Sequence, residues 1–281
     1  MKLSSKSIIN SQVLVIAVLI LVGISTSSCK VDVFQQLEDR SWQLVWSDDF
    51  EGTAGQAPDA TKWAYDIGTG DNGWGNQELQ YYTDRSENVS LDGSGNLVIT
   101  ARWETFAGSP FTSARIKTQG TFEQTYGRFE ARMKTPYGPG MWPAFWLLGA
   151  NVDEVNWPQC GEIDVMEMRG QQPEKIAGSV HGPGYSGGAA ISSDYSLENS
   201  RFDLDFHVFA IEWGEDYIDY FVDDFLFQRI TPEDVPGEWV YDHSFFMILN
   251  LAVGGNYVGF PTSQTPFPQT IEVDYIRVYQ Q

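Results

Sequence analysis

Three acidic residues lie close together in the segment GEIDVMEMRG, and their types and spacing suit acid–base chemistry. Glu162, Asp164 and Glu167 are interleaved with apolar residues, among them Ile163 and Val165, which favour β-strands. Carboxylates are seldom buried without partners, and like charges on one face repel each other. A strand that keeps three of them gives up stability, which is typical of a catalytic site. A solvated strand face and a cation site are the competing interpretations.

The spacing of the acids requires an irregularity in the strand. Side chains alternate between strand faces, so Glu162 and Asp164 share a face and Glu167 points to the other one. A β-bulge at Val165–Met166 would return Glu167 to the acidic face. The Cα atoms of Glu162 and Glu167 would then lie about 13 Å apart and their carboxyl groups about 5–6 Å apart, which suits retaining hydrolysis of a glycosidic bond. Inverting hydrolysis needs about 6.5–9.5 Å. Asp164 is expected to hydrogen-bond one of the glutamates.

The elements that position these acids are predicted to be β-strands separated by turn residues. The predicted strands span 42–48, 97–103, 114–118, 127–133, 144–148, 162–168, 176–181, 207–213, 217–222, 245–253 and 271–279. A short helix fits residues 77–82. Many strands without long helices between them indicate an all-β fold, an antiparallel sandwich.

Aromatic residues form a second signal just upstream of the acidic strand. Trp142 and Trp146 are four residues apart in GMWPAFWLLG, so they share one face of a strand. Flat aromatic rings present apolar faces that suit the apolar faces of sugar rings, while polar groups bind the hydroxyls. The sequence therefore predicts that these two residues stack on a sugar, with ordinary core packing as the alternative.

Charge and length narrow the class of partner. The chain has 281 residues and a formal net charge of −21. Nucleic acid is excluded as a partner because its phosphates need Lys and Arg. The same charge disfavours a heavily sulfated polysaccharide, so a neutral substrate fits best.

The first 28 residues have the pattern of a signal peptide. Lys2 and Lys6 form a basic start, residues 13–24 are mostly apolar, and small residues lead to Cys29. We predict a bacterial lipoprotein with Cys29 acylated, a tether over 29–40, and a catalytic domain over 41–281. The expected location is the cell envelope, lipid-anchored and facing the periplasm or the exterior. An uncleaved membrane anchor is the alternative.

The motifs together resemble a known family. GEIDVMEMRG resembles the active-site strand of glycoside hydrolase family 16, in the form that carries the bulge. Further segments resemble the laminarinase branch of that family, in the same order along the chain: 73–91, 112–136, 140–149, 180–188, 205–213, 245–256 and 273–280. The resemblance covers about residues 41–281 and implies a β-jelly-roll sandwich with a concave substrate cleft.

The resemblance also implies an activity and roles for individual residues. It implies endo-hydrolysis of β-1,3-glucosidic bonds with retained configuration. This reaction is expected to need no cofactor. Glu162 matches the nucleophile, Glu167 the acid/base, and Asp164 the residue between them. Further matches at sugar-contacting positions are Trp142, Trp146, Asn76, His181, Trp74 and Arg115. A structural Ca²⁺ is implied at Asp274, with main-chain carbonyls near Glu51 and Gly93.

Other functions remain open from sequence alone. The same machinery could act on mixed-linkage β-glucan, on an agar-type galactan or on a transglycosylation acceptor. A non-catalytic, glycan-binding lipoprotein is a third class, which the three carboxylates disfavour. We expect a monomer whose partners are the glucan and, through the lipid anchor, a membrane.

Overall fold

The computed structural model describes residues 41–281, so the predicted signal peptide, tether and Cys29 lie outside the described residues. Seventeen strands are numbered in chain order. They are β1 (Gln43–Asp48), β2 (Ala64–Tyr65), β3 (Gln80–Tyr82), β4 (Val89–Leu91), β5 (Leu97–Phe106), β6 (Ser109–Ser113), β7 (Arg115–Lys117), β8 (Gly127–Lys134), β9 (Met141–Gly149), β10 (Glu162–Met168), β11 (Lys175–His181), β12 (Ile191–Ser196), β13 (His207–Gly214), β14 (Tyr217–Val222), β15 (Phe225–Ile230), β16 (Phe245–Val253) and β17 (Gln269–Gln280).

The strands form two sheets. The ten-stranded sheet has the order β15-β14-β13-β8-β17-β5-β6-β3, with β1 beside β17 and β4 beside β5. The seven-stranded sheet has the order β12-β11-β10-β9-β16-β7-β2. The pairings are antiparallel apart from β3 with β6. Because many neighbours are not consecutive in sequence, the chain crosses repeatedly between the sheets, and the predicted all-β antiparallel jelly-roll sandwich is confirmed.

The core lies between the two sheets. The rings of Trp213 on β13 and Phe245 on β16 pack edge to face with centroids 5.2 Å apart. The hydroxyl of Tyr220 on β14 donates to the carbonyl of Ser179 on β11 at 2.8 Å. One face of the seven-stranded sheet is therefore used by the core, and its opposite face carries the candidate site.

Every predicted strand is present, with bounds that shift by a few residues, whereas the predicted helix over 77–82 is wrong. Residues Gln80–Tyr82 form β3, which pairs parallel to β6. The preceding segment Gly73–Gln77 is a π-type turn in which Trp74 has a φ of 55° and Gln77 a φ of 60°. Left-handed residues interrupt an α-helix, so a strand can start directly after them. Between residues 41 and 281 there is no helix long and apolar enough to cross a lipid bilayer.

Candidate active site

Strand β10 carries a bulge that brings its three acids to one face. Against β9, the acids pair with positions 148, 146 and 144, which are two residues apart and therefore share a face. The register shifts between Asp164 and Met166 against β9, and between Asp164 and Glu167 against β11. Val165 and Met166 are both buried in the core. The pairing thus confirms the bulge that the spacing predicted.

His181 on β11 lies opposite Glu162 and closes one side of the acidic face. Its Nε2 atom lies 3.0 Å from Oδ2 of Asp164 and 3.7 Å from Oε1 of Glu162. Among His, Cys, Asp and Glu side chains in residues 41–281, these three form the group whose ligand atoms all lie within 4.8 Å of one another. The three side chains therefore form one compact polar cluster on the acidic face.

Glu167 is held by a different neighbour. The indole N–H of Trp142 donates to Oε1 of Glu167 at 2.9 Å. The Trp142 ring packs on Tyr257 with centroids 5.2 Å apart, and the guanidinium of Arg169 lies 4.1 Å from the Tyr257 ring centroid. A neutral donor therefore fixes Glu167 at the opposite end of the acidic strand from Glu162.

The environment favours the protonated forms of all three acids. Burial, reinforced by the negative charge of Asp164, raises the pKa of Glu162 to about 8 and that of Glu167 to about 8. Burial likewise raises the pKa of Asp164 to about 7. The site therefore holds at least one proton at neutral pH, as a general acid requires.

Trp74, Arg115 and Trp146 stack on one another beside the acids, and we call these three residues the stacked wall. The guanidinium of Arg115 lies 4.8 Å from the Trp74 ring centroid and 4.7 Å from that of Trp146. Asp66 pairs with Arg115 at 2.9 Å, and the indole N–H of Trp146 donates to Oδ1 of Asn250 at 2.7 Å. Trp74, Arg115 and Trp146, each singled out by the sequence, thus belong to one assembly with fixed ring orientations.

Asn76 reaches the same region through the turn Gly73–Gln77. Its side-chain amide lies 3.5 Å from Oε1 of Glu78. A Cβ at Gly255 would lie 3.1 Å from the Asn76 carbonyl oxygen and 3.1 Å from the ring of Trp142. The missing side chain at Gly255 therefore allows the turn to approach Trp142, and it brings Asn76 to the predicted cleft.

Several residues of the site were not singled out by the sequence. Glu78 accepts hydrogen bonds from Gln80 at 2.6 Å and from Tyr82 at 3.2 Å, and burial raises its pKa. Asn250 donates to the Tyr82 hydroxyl at 3.1 Å and so links this network to the stacked wall. The only sequence signal for this hydrogen-bond network is the polar run in QELQYY, because Asn250 comes from a strand far along the chain.

Trp157 borders the opposite side of the site. It belongs to the loop between β9 and β10, its side chain is 44% exposed, and its ring centroid lies 5.9 Å from that of His181. Cys160, in the same loop, is a buried free thiol whose pKa burial raises to about 11. The thiol is therefore protonated in the neutral range and acts as a packing group.

The predicted calcium residues lie on the ten-stranded sheet and in loops next to its strands. Asp274 on β17 accepts a hydrogen bond from the guanidinium of Arg132 and is ion-paired with it. Glu51 follows β1, and Gly93 packs against the turn at Ala54, where an added Cβ would lie 2.9 Å from the Ala54 nitrogen. The one side-chain ligand of this set is thus paired with Arg132, which a Ca²⁺ ion would have to displace.

Comparison with known proteins gives the family. The sequence profile described as "Glycosyl hydrolases family 16" matches residues 71–277. A protein named Beta-glucanase from Rhodothermus marinus is 43% identical over 85% of this chain and 85% of its own length. The Clotting factor G alpha subunit of Tachypleus tridentatus is 38% identical over 95% of this chain, which spans only 37% of that protein.

A solved structure agrees with these sequence matches. The laminarinase catalytic domain from Thermotoga maritima superimposes with a TM-score of 0.81 at 47% identity, covering 86% of this chain and 99% of that domain. The profile match includes the bulged acidic strand, the stacked wall and His181. The chain belongs to glycosyl hydrolases family 16.

Proposed function

We propose that this chain hydrolyses internal β-1,3-glucosidic bonds of laminarin-type β-glucans and retains the anomeric configuration. The observation that carries the proposal is the bulged strand, which puts Glu162 and Glu167 on one face beside a wall of aromatic rings. Similarity to a protein named Beta-glucanase and to a laminarinase catalytic domain supports the substrate class. The chain spans 37% of the clotting factor subunit, so it corresponds to only part of that protein.

The first chemical step assigns different protonation states to the two glutamates. Glu167, with its raised pKa, holds a proton and gives it to the glycosidic oxygen as the bond to carbon 1 breaks. The ionised carboxylate of Glu162 attacks carbon 1 and forms a covalent glycosyl-enzyme. The indole N–H of Trp142 keeps Glu167 at the leaving-group side.

The second step reverses the proton transfer. Once Glu162 is esterified, its charge is gone, and Glu167, now ionised, takes a proton from water. The water oxygen bonds to carbon 1 as the bond from carbon 1 to Glu162 breaks, which frees the Glu162 carboxylate and releases the sugar with its original configuration. Asp164 stays hydrogen-bonded to Glu162 and orients it for both attack and departure.

Residues next to the acids offer contacts for the glucan. On the side of β9, β16 and β7, Trp146 and Trp74 offer ring faces, while Arg115 and Asn76 offer hydrogen-bond donors to sugar hydroxyls. Trp142 lies next to Glu167 and borders the central position.

The direct test compares three polysaccharides. New reducing ends should form rapidly on laminarin, more slowly on lichenan and not on agarose, and ¹H NMR of the first product should show the β-anomer. Release of the α-anomer would exclude the double displacement. A Glu162→Gln variant that binds laminarin without cleaving it is the matched inactive control. Equal rates on agarose would overturn the substrate assignment.

Mixed-linkage β-1,3-1,4-glucan is the second candidate substrate. The name of the Rhodothermus marinus relative, Beta-glucanase, specifies no linkage. Faster release of reducing ends from lichenan than from laminarin would favour this candidate, and the proposed chemistry at Glu162 and Glu167 would stay the same.

We also propose that Cys29 is acylated and that the enzyme is a monomer held at the cell envelope. The sequence pattern before Cys29 supports this placement. Feeding cells an alkyne fatty acid should label the wild-type chain and leave a Cys29→Ser variant unlabelled. Equal labelling of both chains would refute the anchor, and light scattering of the released domain tests the monomer.

Calcium binding at Asp274 is proposed as a secondary property that requires Arg132 to give up its ion pair. Ca²⁺ in excess over a chelator should then raise Tm, since a ligand that binds only the folded state stabilises it. The increase should vanish in Asp274→Asn. An unchanged Tm in wild type would show that Arg132 serves in place of the cation.

A further inference from the structure

The carboxylate of Glu78 faces hydrogen-bond donors at both of its oxygens. Oε2 accepts from the amide of Gln80 at 2.6 Å and from the hydroxyl of Tyr82 at 3.2 Å, and Oε1 faces the amide nitrogen of Asn76 at 3.5 Å. We propose that Glu78 is a positioning residue of the cleft, the shared acceptor that orients the indole of Trp146 on one side and the amide of Asn76 on the other. The inference rests on the proposed function, which assigns both of these residues to the glucan.

The hydrogen bonds between Trp146 and Glu78 can run in only one direction. An indole N–H donates and cannot accept, so Oδ1 of Asn250 accepts from Trp146 at 2.7 Å. The Nδ2 group of Asn250 then donates to the hydroxyl oxygen of Tyr82 at 3.1 Å. Since that oxygen accepts, the one hydroxyl proton of Tyr82 is left for Glu78. The orientation of the Asn250 amide therefore depends on an acceptor at position 78.

Gln80 has an equally fixed orientation. The backbone N–H of Val253, at the end of β16, donates to Oε1 of Gln80 at 2.7 Å, and a backbone N–H cannot accept. The Nε2 group of Gln80 is therefore the one that faces Glu78. Because two donors of fixed direction meet at Oε2 of Glu78, this oxygen serves as an acceptor in either protonation state of the carboxyl group.

Burial makes this acceptor hard to replace. Gln80 and Tyr82 are fully buried and Asn250 is nearly so, which keeps water from serving in place of Glu78. A buried donor without an acceptor is costly, so the network has to rearrange when position 78 cannot accept. The amide of Asn250 is the member that can turn over. A turned amide presents its NH₂ group to the indole N–H, and Trp146 then loses its partner.

Two substitutions of similar length separate the acceptor from the charge. Glu78→Gln and Glu78→Met both remove the carboxylate charge, but the amide oxygen of Gln can take the place of Oε2, whereas Met offers only a weakly accepting sulfur. We expect KM for laminarin to rise about 2- to 5-fold in the Gln variant and about 10-fold in the Met variant, since one hydrogen bond contributes up to about a factor of ten.

The two kinetic constants should respond differently. The glucan contacts of Trp146 and Asn76 stabilise substrate and transition state alike, so kcat of both variants should stay within about twofold of wild type. Glu87 is exposed in the turn before β4, so Glu87→Gln should keep the wild-type KM. Equal KM values for Glu78→Gln and Glu78→Met would mean that the charge acts and not the acceptor. That result, or a loss confined to kcat, would overturn the proposal.

A double-mutant cycle tests the side of Asn76. In Glu78→Gln the amide oxygen faces the two fixed donors, so its NH₂ group faces Nδ2 of Asn76 and the Asn76 amide has to turn. Asn76→Ala removes that amide. Adding Glu78→Gln to Asn76→Ala should therefore leave KM nearly unchanged, because residues that act through one contact are not additive. Effects that multiply in the double variant would contradict positioning of Asn76. This cycle does not need the Met variant, so it decides the matter even if Glu78→Met fails to fold.

Nuclear magnetic resonance tests the side of Trp146 without any activity. The chain has ten tryptophans, and the indole signal of Trp146 is the one missing from Trp146→Phe. Its proton shift should stay near the wild-type value in Glu78→Gln and move upfield in Glu78→Met as the hydrogen bond is lost. A folded Glu78→Met variant with an unchanged signal would overturn the proposal.

The outcomes separate this inference from the proposed function. A wild-type protein without glucanase activity, in which the Trp146 signal still responds to Glu78→Met, would refute the proposed function alone. An active glucanase in which neither KM nor the Trp146 signal responds to Glu78→Gln or Glu78→Met would refute this inference alone.

Discussion

At the scale of single residues, the two glutamates of the site differ in their polar neighbours. Glu162 lies next to Asp164 and His181, whereas Glu167 accepts from the indole of Trp142. A nucleophile needs a lone pair free of strong donors, and a general acid needs a fixed orientation toward the leaving oxygen. The two environments therefore match the two proposed roles.

The acid role of Glu167 predicts a dependence on the leaving group. Glu167→Gln should lower kcat on laminarin by about 10²- to 10⁴-fold, since general acid catalysis contributes that much. On an aryl β-glucoside with an activated leaving group, bond cleavage needs little protonation, so the loss in the first step should be smaller. Burst-phase kinetics on both substrates measure the difference.

The matched control is a glutamate outside the site. Glu233 is exposed in the loop after β15, so Glu233→Gln should leave both rates unchanged. Adding azide, a nucleophile that needs no general base, should speed turnover of the aryl substrate by Glu167→Gln. Equal losses on both substrates, without rescue by azide, would count against the acid/base role.

The raised pKa values predict the pH range of activity. Catalysis needs one proton on the acid pair and an ionised nucleophile, and the pKa of Glu167 is raised to about 8. Activity should therefore fall above about pH 8, where Glu167 loses its proton, and fall below about pH 8 as Glu162, whose pKa is also raised to about 8, becomes protonated. A profile of kcat/KM against pH should be a narrow bell with its maximum near pH 8. Full activity maintained to strongly alkaline pH would contradict it.

The site residues differ in how far sequence could predict them. The shared face of Glu162, Asp164 and Glu167 follows from a period of two and one inserted residue, which are both local properties. The contact of His181 with Asp164 depends on the register between β10 and β11, which local sequence does not fix. The resemblance pointed to His181, but its 3.0 Å approach to Asp164 and the hydrogen bond that it accepts from Gly187 required the structure.

At the scale of elements, the stacked wall is set by three separate pieces of chain. Trp74 comes from the turn Gly73–Gln77, Arg115 from β7 and Trp146 from β9. Asn250 on β16 accepts from Trp146 at 2.7 Å and is itself 6% exposed. The wall keeps its shape because each member is held by a neighbour on another strand.

This arrangement predicts the effect of a small change at Trp146. Trp146→Phe keeps an aromatic face but removes the N–H, which leaves Oδ1 of Asn250 buried without its donor at a cost of about 1–3 kcal/mol. KM for laminarin should rise several-fold while kcat changes less, because sugar stacking stabilises substrate and transition state alike. Initial rates and thermal unfolding together measure both effects.

Trp103 offers the matched comparison. It lies on β5 in the other sheet with 72% of its side chain exposed, so Trp103→Phe should leave KM and Tm unchanged. If Trp146→Phe behaved like Trp103→Phe, the indole hydrogen bond would have no part in binding.

The elements that escaped prediction share physical features. Strand β12 reads ISSDYS and lies at a sheet edge with mostly exposed residues, so it lacks the alternation that marks a strand. Strand β3 is three residues long and pairs in parallel with β6, which only the tertiary fold determines. Long strands with one buried face were predicted well because burial imposes their pattern.

At the scale of the whole molecule, the acids are held by a sandwich that is stable enough to bury them. Strand β16 is buried along its whole length, and Met247, Leu249 and Leu251 face the core behind the site. The chain carries a net charge of −21, which already destabilises the compact state by repulsion. Ionising the three neighbouring acids adds local repulsion to it. We therefore expect the site to lower the stability of the fold.

The direction of this effect with pH follows from the pKa of Glu162, which is raised to about 8 in the folded state. The unfolded value is about 4.3. Between these values the folded chain binds more protons than the unfolded chain, so the free energy of unfolding falls as pH rises. The stability that protonation of Glu162 gives the fold is fully present below the pKa of Glu162 in the unfolded chain. It is lost as pH rises through the pKa of Glu162 in the folded chain.

Glu162→Gln removes this titration and one of the repelling charges. The variant should be more stable than the wild type at pH 8, by about 1–3 kcal/mol, and the gain should shrink toward pH 5. In a domain of this size about 1 kcal/mol shifts Tm by about 2–4 °C, so calorimetry at both pH values measures it. Glu233→Gln should show no gain at either pH. A gain of equal size at pH 5 and pH 8 would mean that packing, not relief of a buried charge, stabilises the variant, and a loss at pH 8 would mean that Glu162 is paired well enough to stabilise the fold.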